Sequence, residues 1–177
     1  MRSRDNGVHR LALDGIFVAL ALVLSYVESA VGFTAILPGA KLGIANLAVM
    51  LAFYKTGKSD AALISACRVI LMSLLFGNFQ YFVFSAFGAA FAYLAMLVVR
   101  RVSSVGRIGV SVASAAAHSV GQIAVAIVIY SSPALISYLP LLLVASALSG
   151  TINGILLILV EDRLDALYTR KDAKIEK

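Results

Sequence analysis

The sequence predicts an all-α integral membrane protein, a single bundle of six transmembrane helices with both termini in the cytoplasm. Three observations carry that prediction. The first is composition: of 177 residues, 61% are hydrophobic and 14% charged, and the mean hydropathy is +0.95. Soluble domains sit near 45–50% apolar with about 25% charged residues. A chain this apolar would expose large patches in water, whereas a bilayer solvates them. The second is that the apolar residues fall into six runs separated by short polar turns. The third is that the basic residues fall almost entirely on alternate turns. The length suits one compact membrane domain and leaves no room for a second, soluble one.

A run able to cross roughly 30 Å of hydrocarbon counts as a span. The first covers residues 11–27 and is followed by a connection that contains Pro38 and Gly39. A basic lead (Arg2, Arg4, Arg10) precedes it, as in a signal peptide, but no small-x-small cleavage site follows, so it reads as a retained helix. The second run, 42–54, is short and needs neighbours or local thinning to cross. Lys55, Thr56, Gly57 and Lys58 turn the chain into the third, 61–76, which Arg68 interrupts. Gly77 and Asn78 lead to the fourth, 79–99, and a polar connection over 100–107 leads to the fifth, 108–130. Ser131, Ser132 and Pro133 break that helix, and the sixth, 134–160, runs into a charged cytoplasmic tail, 161–177. There is no low-complexity stretch and no internal repeat.

Positive charge orients the bundle. Arg2, Arg4 and Arg10, then Lys55 and Lys58, then Arg100, Arg101 and Arg107, then the tail together hold thirteen of the fifteen Lys and Arg. All thirteen lie on one side in a six-span topology, which the positive-inside rule makes cytoplasmic. The net charge of +6 therefore marks contact with anionic lipid rather than nucleic acid, because it sits in clusters at the ends of apolar runs. Cys67 is the single cysteine, so neither an intrachain disulfide nor a cysteine metal cluster can form.

Small residues four apart let helices approach closely in lipid. Gly15 and Ala19 form such a pair on the first run and Gly88 and Ala92 on the fourth. Gly109, Ala113, Ala117 and Gly121 make a ladder on the fifth, and Ser146, Gly150 and Gly154 another on the sixth. The later ladders read as packing within the bundle; the first pair is open to docking a partner.

Polar residues inside the runs are expensive, about 2.5–3.5 kcal/mol for an ionisable group on insertion scales, and so mark cavities and function. At about 1.5 Å per residue, Arg68, His118, Asn46 and Asn153 all lie roughly 12–16 Å from the cytoplasmic edge, on four different helices. Ser111, Ser114, His118 and Gln122 recur on one face of the fifth run. That stripe is either a cavity wall or interhelical glue, and the serines can also bond back to their own helix. Arg68 cannot lose its charge and needs an acceptor, either Glu28 or a bound anion, with Lys41 as a second cation at the outer mouth. Asn78, among the amides and aromatics of residues 77–81, is placed to meet a ligand or to form an interfacial belt. The candidate substrate-binding residues are thus Lys41, Asn46, Arg68, Asn78, His118, Gln122 and Asn153.

Three segments in order carry a resemblance. Pro38-Gly39-Ala40-Lys41-Leu42-Gly43-Ile44-Ala45-Asn46, then Arg68 with Ser73-Leu74-Leu75-Phe76-Gly77, then Ala117-His118-Ser119-Val120-Gly121-Gln122 resemble the Gx transporter family, also called heptaprenyl diphosphate synthase component I. The resemblance covers nearly the whole chain. The family is similar to the substrate-binding S components of energy-coupling-factor (ECF) importers, six-helix proteins of the prokaryotic cell membrane that capture vitamins or related metabolites. It implies a small-molecule ligand and a partner module of one transmembrane coupling protein and two cytoplasmic ATPases. In S components a small-xxx-small motif on the first helix docks the coupling protein, and Gly15 and Ala19 occupy that place, although Ala is the more usual residue at both positions.

The family's second name implies a different role, a membrane accessory subunit of an isoprenoid synthase. Catalysis by this chain is not expected. Prenyl diphosphate synthases hold magnesium on Asp-rich helical motifs, as a diphosphate leaving group requires. Here Asp162 and Asp165 come nearest, in a basic tail, without a second cluster. A Gly-rich phosphate loop with Lys and Ser/Thr is also missing, so ATP hydrolysis must come from a partner. Neither a metal nor a cofactor is expected. A solitary secondary carrier is disfavoured by the missing repeat and the small size.

Overall fold

With no water in the hydrocarbon core, each apolar run must close its backbone hydrogen bonds on itself, and it does so as a helix. The computed structural model describes residues 2–30 and 43–175. It holds six α-helices: α1 (Arg2–Ala30), α2 (Ile44–Lys55), α3 (Lys58–Phe76), α4 (Phe79–Val99), α5 (Arg107–Tyr130) and α6 (Leu139–Ile175), with a short 3-10 helix, Pro133–Tyr138, ahead of α6. No strand occurs among the described residues.

Five segments are long and apolar enough to cross a membrane: Arg10–Ala30, Lys58–Phe76, Phe79–Val99, Arg107–Tyr130 and Pro133–Leu164. Their outer faces carry large uncovered side chains, such as Leu74, Phe79 and Val128 at 77–81% exposure, as lipid contact requires. The short run expected at 42–54 corresponds to α2. α2 has 12 residues, about 18 Å of rise. Every residue from Leu47 to Phe53 is buried, so α2 is apolar all round and enclosed. It packs against α1, α3 and α6, which shield it from lipid, so it needs no full crossing of its own.

At both ends helix continues beyond the apolar runs. The expected tail at 161–177 is a continuation of α6 as far as Ile175, and α1 begins at Arg2, ahead of the apolar run. Neither extension contains proline, and a helix does not stop where the bilayer does.

Close packing joins α4 to α5 and α5 to α6, while α3 and α4 pack more sparsely. The ladder on α6 explains the α5–α6 contact. A methyl group on Gly150 would lie 2.7 Å from Val112 Cα, and one on Gly154 would lie 2.7 Å from Ile108 Cα. The two backbones touch where the side chains are missing.

Two apolar clusters bracket the middle of the bundle. One unites Leu47–Phe53 of α2 with Ala61, Ile64, Met96, Val110 and Leu157. The other joins Ile123 and Leu142, with Ile127, Tyr138 and Leu139 around them. Val110 and Leu157 belong to the first, Ile123 and Leu142 to the second, so the polar stretches of α5 and α6 between them lie in a layer of their own.

The basic end of the bundle is tied by charge. Arg10 donates Nε–H to Asp60 Oδ2 at 2.8 Å and Nη2–H to Oδ1 at 2.6 Å, fastening α1 to the first turn of α3. Arg107 pairs with the buried Glu161 at 2.8 Å, fastening α5 to α6. The Arg100 guanidinium lies 4.8 Å from the ring centroids of both Phe53 and Tyr54 and donates to the Phe53 carbonyl at 3.2 Å.

Candidate functional site

The layer between the two clusters encloses a cavity of about 160 Å³ to which all six helices contribute. α1 supplies Ser25, Glu28 and Ser29, and α2 with its leading Gly43 supplies Ala45 and Asn46. Arg68, Val69 and Met72 come from α3, and Tyr81 and Ser85 from α4. The α5 stripe supplies Ser111, Ala115, His118, Ser119 and Gln122, and α6 supplies Ser146, Ser149 and Asn153. An interior this polar in a chain this apolar is a chemical choice, because each such side chain costs energy to bury unless something bonds to it.

Some of the wall satisfies itself. Asn46 Nδ2 donates to Ser114 Oγ at 3.0 Å, tying α2 to α5. Ser119 and Ser146 share a hydrogen bond of 2.7 Å that ties α5 to α6. Ser149 donates back to the Ser146 carbonyl at 3.3 Å. Gly88 makes room for the His118 ring, since a methyl there would lie 2.7 Å from Cε1. Gly43 sits at φ 69°, a left-handed conformation that suits glycine, and a methyl on it would press to 3.2 Å from Asn153 Nδ2.

Other lining groups are less fully engaged. Gln122 is 7% exposed, and its Oε1 is buried with no hydrogen-bond partner. Arg68 lies on the wall opposite Glu28. The Glu28 charge acts on Arg68, but Glu28 Oε1 accepts the Gly43 N–H at 2.6 Å, and the two side chains do not close into an ion pair. The guanidinium thus keeps capacity for an anionic oxygen, and the Gln122 carbonyl keeps capacity for a donor.

The cavity gathers five of the seven candidate residues: Asn46, Arg68, His118, Gln122 and Asn153. Asn78 stands elsewhere. It is exposed and caps α4, its side chain accepting the Tyr81 N–H at 2.8 Å. Its place just before an apolar run is itself a cap signature. Lys41 lies outside the described residues. Residue patterns did not single out Ser25, Ser85, Ser119, Ser146 or Ser149 as cavity residues. Serine is common in membrane helices and bonds to its own backbone, so burial against a cavity leaves no mark in the sequence. Ser73, Ser25 and Thr151 show that habit, donating to carbonyls four residues back at 2.7 Å. Among the described residues no group of three or more His, Cys, Asp or Glu is placed to hold a metal ion.

Fold and cavity together define a multi-pass, all-helical membrane protein with an enclosed polar chamber. The chain belongs to the heptaprenyl diphosphate synthase component I family, whose model matches residues 17–160. That range takes in every described lining residue of the chamber. No curated protein and no solved structure matches the chain.

Proposed function

We propose that this protein is the ligand-capturing subunit of an energy-coupling-factor-type importer in the cell membrane of a prokaryote. In this reading it binds a small metabolite with an anionic group, a vitamin, cofactor precursor or isoprenoid-related compound, and catalyses nothing itself. One observation carries the reading: a chamber to which six helices contribute, with the Arg68 guanidinium side chain on its wall and polar side chains from every one of those helices around it. The S-component likeness supports an arrangement in which six elements leave both termini in the cytoplasm. Gly15 and Ala19 support a docking role, for both are exposed on α1 and a methyl on Gly15 would meet nothing within 4 Å. A transmembrane coupling protein would seat there, with two cytoplasmic ATPases driving the cycle.

The test is native mass spectrometry of the gently purified protein, wild type and Arg68→Ala. A small molecule that co-purifies with wild type, and whose affinity falls at least about a hundredfold in the variant, is the expected result. Empty wild type in several mild detergents, with Arg68→Ala merely unstable, would sink it.

The family's printed description favours a second reading, a non-catalytic membrane component of a heptaprenyl diphosphate synthase. That reading requires a stable complex with a soluble, Asp-rich synthase and a change in its product when the membrane chain is removed.

A further inference from the structure

A second concavity adjoins the chamber. It is a groove of about 270 Å³ between α3 and α4, lined by Ala62, Ala66 and Ile70 on one side and Phe82, Ala86 and Ala90 on the other. Its lining is almost wholly apolar, and several of these residues are exposed toward the lipid. Val69 borders both spaces. α4 alternates in the same way, with Tyr81 and Ser85 facing the chamber and Phe82 and Ala86 the groove. The dividing wall is therefore the α3–α4 seam, packed more sparsely than α4–α5 or α5–α6. Elsewhere the lipid-facing surface bulges with large side chains; here alanines hollow it.

We propose that chamber and groove form one site for an amphipathic ligand, with a compact anionic head in the chamber and a single apolar chain leading past Val69 to lie between α3 and α4. This rests on the binding reading of the chamber and narrows its ligand class. Arg68, on the chamber wall, asks the head for an anionic oxygen. The chamber mixes polar and apolar walls, whereas the groove is almost wholly apolar and so offers a chain no polar competition. An apolar chain gains little by leaving lipid for protein, so the groove supplies position more than affinity. It lets a head sit deep among polar side chains while its chain stays in an apolar medium. Groove residues run from Val69 back toward Ala62 and Tyr93, near the basic end, so head and chain lie along the helix axes and not across them.

The probe is decyl phosphate carrying a terminal diazirine, added to the full-length protein in phosphatidylcholine nanodiscs, irradiated and mapped by peptide mass spectrometry. Labelling is expected to concentrate on the α3 and α4 peptides that line the groove and to be competed by inorganic phosphate. It is expected to drop at least fivefold in Arg68→Ala, which removes the head's anchor, and in Ala86→Phe, which fills the groove. Leu94→Phe, on the lipid-facing side of α4 outside the groove, should leave it unchanged. Labelling spread evenly over all lipid-facing helices and indifferent to Arg68→Ala would make the groove an ordinary bilayer contact and overturn the proposal. Phosphate binding in the wild type with the chain labelling elsewhere would end this inference and leave the chamber reading standing. Failure of the wild type to bind inorganic phosphate or the probe would count against the chamber reading itself.

Discussion

At the basic end of the bundle, Arg10, Arg100 and Arg107 each meet a partner from their own chain: a carboxylate, a pair of aromatic rings, another carboxylate. In the chamber wall, Arg68 meets a glutamate already engaged with the Gly43 N–H, and Gln122 keeps a buried oxygen without a hydrogen bond. The same residue type therefore plays two parts in one small protein. At the basic end the counter-charge closes onto arginine and fastens helices together; in the chamber the Glu28 charge acts on Arg68 without closing into an ion pair. Polarity within the membrane becomes informative only once its partners are counted.

That contrast can be broken most forcefully at the fastened end. Arg107→Ala strands Glu161, which is 2% exposed, and is expected to cost roughly 2–3 kcal/mol of stability. Adding Glu161→Gln to it should recover part of the loss in a thermal-unfolding series. If the double variant is no more stable than the single, the pair is not what holds α5 to α6. Gly150→Val tests packing in place of charge. It drives a side chain into the Val112 backbone and should destabilise by up to about 3 kcal/mol, detectable as loss of monodisperse protein on gel filtration.

The chamber should answer differently. Gln122→Leu removes a buried, unbonded oxygen, so the ligand-free protein is expected to gain about 1 kcal/mol of stability while ligand affinity falls about tenfold. Opposite signs in the two measurements would sharpen the contrast; a loss in both would place Gln122 among the fasteners. The smallest effect belongs to Arg100→Lys, which keeps the charge but weakens the stacking on Phe53 and Tyr54. About 0.5–1 kcal/mol is expected, with ligand binding unmoved.

Lipid made much of this architecture readable in advance. The runs expected at 79–99 and 108–130 correspond to α4 and α5 almost residue for residue, because hydrocarbon tolerates few polar residues and Gly-Asn and Ser-Ser-Pro end the helices. α2 was less legible: its apolar run looks like a short span, and only its neighbours reveal that it is enclosed. The outer reach of α1 and α6 was lost for the opposite reason, since apolar content marks the membrane and not the helix. Within the site, Arg68, His118, Asn46 and Asn153 stood out because each is costly in hydrocarbon. The serines are cheap there, and their places in the chamber depend on helix rotation, which small-residue patterns constrain poorly. Glu28 was visible as a possible partner for Arg68, yet its actual bond to the Gly43 N–H depends on how α1 and α2 are juxtaposed.

The enclosure of α2 has a consequence for biogenesis. A segment of 12 residues that is buried on every side offers a translocon little to partition into lipid by itself, and its final surroundings include α6, which is made after the other five described helices. α2 can settle only after α6 has been synthesised and has closed over it, so insertion of this protein is a collective event finished from the C-terminal end. A nascent chain halted after α5 would hold α2 in the membrane without the wall that α6 supplies, and quality-control proteases that recognise unassembled spans would meet it there first.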